Sequence, residues 1–256
     1  MLPFFVKAKT ISDAWFQLIY NLFDNAYAQK IQKGSFENEQ YRLQYPGIAV
    51  YIEHPYYDMI PTMPPNSGIP APTTKEYIED YFVNYLMNPE LAENETYRYS
   101  SRIHNKMPKG GTQLERIMDM LRNTPLTNQA VIEIATPDDL DICYGNDGKL
   151  DPPCLRLLDF KVIPVLLNNQ NSTGQVDNES ESTRTELVLT VSAYFRSWDL
   201  WAGLPTNLGG IELLKQFVAG ETSLKNGPMY AYSAGAHIYG YQEELARLRT
   251  LRLTKG

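Results

Sequence analysis

Two long apolar segments separated by a polar one constrain the fold of this chain most. Residues 155–167 and 186–195 are strongly apolar, whereas 168–185 is rich in Asn, Ser and Glu and nearly without apolar side chains. Apolar runs of this length predict strands that are covered on both faces. The polar segment predicts a mobile hairpin connection, which we interpret as a loop insertion outside the core.

Helical patterns flank these strands. Apolar residues at spacings of three and four predict helices at 11–31 (starting at Ser12-Asp13), 74–87 (behind Thr74), 113–122 (behind Gly111-Thr112), 208–219 (packed closely through Gly209-Gly210) and 241–251. Further strands are predicted at 40–45, 48–52 (interior), 130–135 and 229–231, and Pro164 is expected to interrupt the strand at 155–167. The mixture favours the α+β class: a single domain over residues 1–256 with a mixed, mostly buried β-sheet flanked by helices.

Charge and cysteine content exclude several classes of protein. The net charge is −7, so the chain has no basic surface for nucleic acid or anionic lipid. No apolar run reaches the length of a membrane span, and the first residues lack the pattern of a signal peptide. Cys143 and Cys154 form neither a disulfide framework nor a zinc-type spacing. We therefore expect a cytoplasmic protein without a metal, a membrane partner or a nucleic-acid partner.

The stretch from Tyr194 to Asn207 mixes polar side chains with tryptophans and apolar residues. Such a mixture suits neither a solvated surface nor a plain core, so we interpret it as a polar site in an apolar wall. Arg196 and Ser197 can form a small anion site, because a guanidinium binds phosphate oxygens through two N–H groups. The simpler alternatives are a surface arginine, and turn or cap roles for Asp199 and Asn207.

Cys154 and His237 are two further candidates, each with a simpler alternative. A cysteine that follows two prolines in an apolar run is more often a small buried hydrophobe. As a nucleophile, Cys154 needs a nearby cation that favours the thiolate, and Arg196 is the candidate. His237, with Tyr239 two residues later, is in isolation more often a structural histidine. The joint order and spacing of these residues favours the functional interpretation.

The chain carries four motifs in a fixed order: Pro152-Pro153-Cys154, Arg196-Ser197-Trp198-Asp199, Gly203-Leu204-Pro205-Thr206-Asn207 and His237-Ile238-Tyr239. Together they resemble the thymidylate synthase and pyrimidine-nucleotide hydroxymethylase family, closely over about residues 113 to 247 and loosely before that. The chain looks most like the archaeal-type branch. The resemblance implies a mixed sheet whose exposed face packs against a second copy in a two-fold homodimer.

The resemblance also implies a covalent reaction at a pyrimidine nucleotide. The thiolate of Cys154 would add to C6 of the uracil of dUMP, and C5 would then attack the methylene of 5,10-methylenetetrahydrofolate or a related methylene-pterin. Tyr99 is similar to the tyrosine that helps remove the C5 proton. The family's proton-transfer glutamate lies on an early helix, and we assign it to Glu79, with Glu76 as the second choice.

Other motif residues would hold the base, the sugar and the pterin. Asn207 would pair with the uracil edge, donating to O4 and accepting from N3–H. The cytosine-specific hydroxymethylases are known for an aspartate at this place, so asparagine points to dUMP. His237 and Tyr239 would bond to the deoxyribose hydroxyl, and Asp199 with Gly203 would contact the reduced pterin.

The nucleotide phosphate would be held by Arg196 and Ser197. The further cations that the family uses at this phosphate are absent from the corresponding positions of this chain. The family's paired arginines, donated across the dimer, fall here at Asn128 and Gln129. Two charge-assisted contacts of roughly 1.5–3 kcal/mol each are thus missing. Either the nucleotide is held less tightly or differs in its phosphate, or another cation substitutes, the candidates being Arg156 and Lys33.

The identity of the product depends on two more departures. Bacterial and eukaryotic members continue into a tail that closes over the folate, whereas this sequence stops at Gly256, and no tryptophan lies between Trp15 and Trp198 to stack near the folate. Closure excludes water, and water decides the product. Hydride transfer to the methylene gives dTMP, which we favour. The alternatives are a dUMP 5-hydroxymethylase, in which water captures the methylene, and a nucleotide-binding relative with little catalysis.

Overall fold

A computed structural model describes residues 2–252 apart from 32–39, 92, 94, 96, 146–150 and 168–183, and gives the backbone alone for 142–145, 167 and 184. Its strands are β1 Phe4–Ala8, β2 Tyr27–Lys30, β3 Tyr41–Gln44, β4 Ile48–Ile52, β5 Val131–Glu133, β6 Leu155–Leu167, β7 Arg184–Phe195, β8 Trp198–Asp199, β9 Lys225–Ser233 and β10 Ala236–Tyr239. Its α-helices are α1 Ile11–Asn25, α2 Lys75–Asp80, α3 Tyr99–Ile103, α4 Gln113–Asn123, α5 Asp138–Gly145, α6 Gly203–Thr222 and α7 Glu243–Thr250. A π-helical segment, Tyr81–Met87, continues α2, and a 3₁₀ turn, Gly240–Gln242, precedes α7.

The strands form two sheets. The larger has the order β1-β4-β9-β7-β6-β5 and the smaller the order β2-β3-β10-β8. Both mix parallel and antiparallel pairs, so the predicted α+β class with a mixed sheet is confirmed. The interior position predicted for β4 is confirmed as well. Strands β6 and β7 pair antiparallel out to Leu167 and Arg184, as a hairpin requires, and the polar connection between them falls outside the described residues.

The core lies between one face of the larger sheet and the helices. Alternate residues of β7, namely Leu189, Val191, Ala193 and Phe195, are fully buried. Helix α6 packs on this face, and α2 with its π-helical continuation packs on α6. A Cβ added to Gly209 would lie 2.8 Å from Cγ2 of Ile78, and one added to Gly210 would lie 2.5 Å from Cδ1 of Tyr81. The close packing predicted for this glycine pair is therefore confirmed.

The outer face of the larger sheet, opposite the core, is partly apolar. Cross-strand register aligns one row of side chains across five strands: Phe5, Ala49, Tyr232, Tyr194 and Leu157. Three of the five are large and exposed, namely Phe5 at 65%, Tyr232 at 41% and Tyr194 at 37%. In the isolated chain this face is open, so the covering expected for the second faces of β6 and β7 would have to come from a second copy.

Local capping agrees with the sequence in two helices and differs in a third. The hydroxyls of Thr74 and Thr112 accept hydrogen bonds from the third residue of their helices, as predicted. The first helix is capped by Thr10 instead of Ser12-Asp13, and it ends at Asn25 instead of residue 31. The predicted helix was too long because Tyr27 matches the helical spacing but begins β2. Its hydroxyl accepts a hydrogen bond from the side-chain amide of Gln44 on the neighbouring strand.

The start of α6, the continuity of β6 and several short elements also correct the sequence prediction. Helix α6 begins at Gly203 rather than at residue 208, since Pro205 lies in the first turn, where no intrahelical N–H bond is lost. Pro164 does not interrupt β6, because β5 pairs only as far as Asp159 and no strand among the described residues pairs with the outer edge of β6 at the proline. Strands β1, β8 and β10 and helices α3 and α5 were not predicted at all. No helix within the described residues is both long and apolar enough to cross a membrane.

Candidate active site

Cys154 and Arg196 meet where β6 begins and β7 ends. Leu155 pairs with Phe195 across these antiparallel strands. Cys154, directly before β6, therefore lies opposite Arg196, directly after β7. The backbone N–H of Arg196 donates to the carbonyl oxygen of Cys154 at 2.9 Å. Its guanidinium donates to the carbonyl oxygens of Pro152 at 2.5 Å and Pro153 at 3.3 Å. The expected neighbourhood of thiol and cation is therefore present.

Burial, more than charge, determines the ionisation of Cys154. Burial raises the pKa of its thiol, Arg196 and Arg156 lower it, and Asp151 raises it further. The net direction is upward, so the thiol form predominates in the unliganded chain near neutral pH. The prediction that Arg196 favours the thiolate has the right sign, but desolvation of the sulfur outweighs it.

Four tyrosines interact electrostatically with Cys154: Tyr81, Tyr97, Tyr99 and Tyr239. The hydroxyl of Tyr99 accepts a hydrogen bond from the N–H of Leu155 at 3.3 Å. This bond holds the hydroxyl at the residue that directly follows Cys154. Burial raises the pKa of Tyr97 to about 12 and that of Tyr239 to about 12. All four phenols are thus neutral near pH 7 and can donate hydrogen bonds to a ligand beside the sulfur.

Asn207 joins this cluster through two aromatic residues. Its side-chain oxygen Oδ1 accepts a hydrogen bond from the indole Nε1–H of Trp198 at 3.1 Å. The buried hydroxyl of Tyr81 lies close enough to the Asn207 amide to have its pKa lowered by it, although burial dominates and raises that pKa. Tyr81 also interacts electrostatically with Cys154, so the amide and the sulfur share this tyrosine as a neighbour.

Asp199 organises the start of α6. Its Oδ1 accepts a hydrogen bond from the N–H of Trp201, and its Oδ2 accepts from the N–H groups of Ala202 and Gly203. These bonds satisfy donors that a helix N-terminus leaves without partners. The cap role that we gave as the simpler alternative is therefore present. A carboxylate has about four acceptor positions, so one remains for a ligand.

One face of the smaller sheet is polar. Cross-strand register places two rows of side chains on it: Tyr27, Gln44, His237 and Asp199 in one, and Gln29, Arg42 and Tyr239 in the other. His237 Nδ1 lies 2.7 Å from the carbonyl oxygen of Gly235, so this nitrogen carries the proton. Burial lowers the pKa of His237. Its Nε2 is therefore an acceptor, and it is buried without a partner among the described residues.

Arg156 lies beside Arg196, as a substitute cation for the missing arginines must. Its guanidinium donates to the same carbonyl oxygen, that of Pro153, at 3.3 Å, and lies 4.0 Å from the carboxylate of Asp139. Ser197 is half-buried directly after Arg196. The other candidate cation, Lys33, falls outside the described residues.

The predicted glutamates are not drawn into this cluster. The Glu79 side chain is 55% exposed and pairs with Lys75 at 3.6 Å, and Glu76 is exposed in the first turn of α2. Both have the surroundings of solvated surface acids, the simpler interpretation of charges on this helix. The neighbouring turn instead brings Tyr81 inward. Across the described residues, no group of three or more His, Cys, Asp or Glu side chains is arranged to hold a metal ion.

Sequence reasoning missed several residues of this site, among them Tyr81, Trp198, Arg42 and Gln44. Tyr81 matches the apolar spacing of its helix, and nothing in that pattern distinguishes it from a core residue. Trp198 occupies a variable position within a recognised motif, so the motif assigns it no role. The alternation of Arg42 and Gln44 around an apolar Leu43 was the available signal for a polar sheet face.

Comparison with known proteins first identifies the class of fold. The structure is similar to thermostable thymidylate synthase A from Bacillus subtilis, with a TM-score of 0.61 over 95% of this chain and 84% of the other. Sequence identity is 13%, so this likeness concerns the fold alone.

The sequence then identifies the family. The family model described as thymidylate synthase matches residues 84–255, about two thirds of the chain, and this chain belongs to the thymidylate synthase family. Two archaeal proteins that carry the name "Putative thymidylate synthase" are similar over nearly their whole length. The protein of Methanosarcina acetivorans is 26% identical over 241 residues, 94% of this chain and 91% of the relative. That of Methanopyrus kandleri is 24% identical over 249 residues, 96% of this chain and 97% of the relative.

A bacterial protein is similar over a shorter region. The protein of Mycoplasma pneumoniae named "Thymidylate synthase" is 27% identical over 146 residues, 57% of this chain and 41% of the relative. The archaeal relatives align over much more of their length. The resemblance recognised from the four motifs, and its archaeal character, are therefore confirmed.

Proposed function

We propose that this protein is a thymidylate synthase that converts dUMP to dTMP through a covalent adduct between Cys154 and C6 of uracil. The observation that carries the proposal is a single cluster in which Cys154, Arg196, Tyr99 and Asn207 are linked by hydrogen bonds or electrostatic interactions. Each side chain has the chemistry that its step requires: a nucleophile, a cation, a proton-transfer hydroxyl and an amide that matches the uracil edge.

Nucleotide binding would rely on two ends of the cluster. Arg196, Ser197 and Arg156 would hold the 5′-phosphate, the guanidinium groups exchanging their bonds to the proline carbonyls for phosphate oxygens. At the other end, the buried Nε2 of His237 lacks a donor among the described residues, and the deoxyribose hydroxyl would supply one. Tyr239, beside it at a ring-centroid distance of 4.9 Å, would bind the same hydroxyl.

The chemical steps would begin with the sulfur. Addition of the Cys154 thiolate to C6 moves an electron pair to C5, which becomes nucleophilic and bonds to the incoming methylene while one methylene–nitrogen bond of the pterin breaks. The second methylene–nitrogen bond would break as C5 loses its proton, so that the reduced pterin is the leaving group. Tyr99 would accept or relay the proton that leaves C5. A 5,10-methylenetetrahydrofolate or related methylene-pterin supplies the one-carbon unit and, for dTMP, the hydride. Release of the sulfur from C6 restores the uracil ring.

The pterin would meet the start of α6. The acceptor position left on the Asp199 carboxylate can take one N–H of a pterin ring, while its bonds to the backbone hold it rigid. A Cβ on Gly203 would lie 3.2 Å from Cβ of Asp199, so the glycine keeps this approach open. Both residues thus fit the pterin-binding role that the resemblance implies.

Formation of 5-hydroxymethyl-dUMP is the second candidate function, and one observation favours it. All three tryptophans are buried in the core, Trp15 at 0%, Trp198 at 2% and Trp201 at 6% exposure. None of them is therefore available to stack on a folate ring at the site's surface. A methylene that is less well shielded from water would be captured as the hydroxymethyl product.

Incubation with dUMP and 5,10-methylenetetrahydrofolate, followed by mass analysis of the nucleotide, tests the proposal. A methyl-bearing product supports dTMP synthesis, and a hydroxymethyl-bearing product overturns it in favour of the second candidate. The matched variant is Cys154→Ser, which should lose turnover and keep most of its dUMP binding. Turnover by that variant would contradict the covalent mechanism.

We also propose that the protein is a homodimer joined through the outer face of the larger sheet. The exposed row of Phe5, Tyr232 and Tyr194 on the outer face of the larger sheet would be covered by the same row of a second copy. Tyr194→Lys combined with Tyr232→Lys should give a monomer in sedimentation analysis, and the exposed Tyr57→Lys should leave the assembly intact. A native protein that sediments as a monomer would rule out the dimer.

A further inference from the structure

The indole of Trp198 contacts the residue that is proposed to recognise the base. Trp198 is buried and stacks on Phe195 at a ring-centroid distance of 4.3 Å and an angle of 2°. From this fixed position its Nε1–H donates to Oδ1 of Asn207 at 3.1 Å. Asn207 itself is only half-buried, so its amide has one side toward the indole and another toward the site.

An indole N–H can only donate, and this restricts the orientation of the amide. If the Asn207 side chain rotated by half a turn, its NH₂ group would face the indole N–H, and two donors would oppose each other in a buried place. The hydroxyl of Tyr81 also lies near the amide, but a hydroxyl both donates and accepts and so tolerates either orientation. Among these neighbours, Trp198 alone selects one orientation.

The selected orientation matches uracil and mismatches cytosine. With Oδ1 held at the indole, its second lone pair can accept N3–H of uracil, and Nδ2 can donate to O4. Cytosine presents an unprotonated N3 and an amino group at the same two places, so both contacts would pair like with like. An amide that is free to rotate could serve either base.

We infer that Trp198 is a specificity-determining residue that makes Asn207 read uracil and reject cytosine by fixing its amide with a donor-only hydrogen bond. This inference rests on the proposed function, since it presupposes a pyrimidine nucleotide at the site. Trp198 is a positioning residue, because it acts through Asn207 and stays in the core. Its effect is therefore on the choice between bases and not on the affinity for phosphate or sugar.

The test compares dUMP and dCMP binding by calorimetry in the full-length protein. Trp198→Phe keeps a ring on Phe195 and removes the donor, and we expect the preference for dUMP over dCMP to fall by at least about tenfold. The matched control is Trp15→Phe, which removes another buried indole donor, bonded to the carbonyl oxygen of Trp201 at 2.9 Å. That control should keep the preference of the native protein.

A shape-preserving substitution separates this effect from misfolding. Benzothienylalanine placed at position 198 has sulfur in place of the indole N–H, so packing is retained while the donor is lost. It should reproduce the loss of preference seen with Trp198→Phe. Unchanged preference with this substitution overturns the inference and leaves the proposed function standing. A native protein that binds neither nucleotide overturns both.

Discussion

Gly210 lies against the ring of Tyr81 so closely that a methyl group at the glycine would come within 2.5 Å of Cδ1. Gly210→Ala therefore has to displace Tyr81, and with it the hydroxyl beside the Asn207 amide. We expect the free energy of unfolding to fall by about 1–3 kcal/mol, as for other overpacked cores. Nucleotide binding should weaken at the same time, as measured by calorimetry at a temperature where the variant is folded.

The same helix offers a matched control. A Cβ added to Gly220 of α6 meets no atom within 4 Å. Gly220→Ala should be neutral or should stabilise the protein by up to about 1 kcal/mol, because alanine is the better helix former. Equal effects of the two substitutions would show that helix propensity, and not contact with Tyr81, governs this position.

The reactivity of Cys154 should rise at higher pH than that of an ordinary thiol. Burial raises its pKa and Arg196 lowers it, so Arg196→Gln should move the midpoint further upward. Alkylation by iodoacetamide, followed by mass spectrometry across pH in a Cys143→Ser background, measures this midpoint. An alkylation midpoint that is the same in Arg196→Gln and in the native protein would contradict the electrostatic role of the guanidinium.

His237 should make the unliganded protein less stable in mild acid. Burial keeps its folded-state pKa below that of the unfolded chain, so as pH falls through about 6.5 the unfolded state takes up the proton first. The stability contributed by the neutral ring is full above that pH and is lost toward the lower folded-state pKa. Melting temperatures at about pH 7.5 and 5.5 should differ less in His237→Gln than in the native protein.

The half-buried His54 is the comparison for this measurement. Because its side chain is 40% exposed, His54→Gln should change the acid-induced fall in melting temperature less than His237→Gln does. If His54→Gln reduced the fall as much as His237→Gln, burial of His237 would not be its cause.

A buried ion pair in α6 should be sensitive to removal of either partner. Glu212 and Lys215 lie 2.9 Å apart and are both fully buried, and Lys215 also donates to the carbonyl oxygen of Gly227. Lys215→Met leaves a buried carboxylate without its cation, which should cost about 3–5 kcal/mol in denaturant unfolding.

The exposed pair between Arg122 and Asp119 is the control for this prediction. Its atoms are 3.1 Å apart but both side chains are largely in solvent, so Arg122→Met should cost less than about 1 kcal/mol. The doubly substituted Glu212→Leu, Lys215→Met chain should recover much of the loss, since no buried charge remains. Equal losses for the buried and exposed pairs would refute the argument.

The sequence predicted those parts of the fold whose pattern is local. Strand β4, the paired β6 and β7, and the capped helix α4 were found because apolar spacing and threonine caps specify them directly. The strands β8 and β10 were missed since they are two and four residues long, and they exist only because tertiary pairing holds them. The π-helical segment Tyr81–Met87 was missed because an apolar spacing that predicts a helix does not distinguish the type of helix.

The candidate site was predictable where a motif carried it and not elsewhere. Cys154 and Arg196 were paired from their motif context, and the structure brings them together across β6 and β7. Glu79 was chosen from its position on an early helix, and its exposed pairing with Lys75 shows that helical phase is a weak guide to which acid faces a site. The place of Arg42 beside Tyr239 follows only from the strand register of the smaller sheet, which the sequence does not specify.

The proline within β6 also bears on how this protein resists aggregation through the edge of its sheet. Beyond Asp159 the strand has β7 on one side and no described strand on the other, and Ile163, Val165 and Leu166 are exposed there. An open apolar edge of this kind invites foreign strands to add to the sheet and seed aggregates. Pro164 lacks an N–H and so interrupts the row of donors at the centre of that edge. Pro164→Val should make the strand more regular and the protein less soluble.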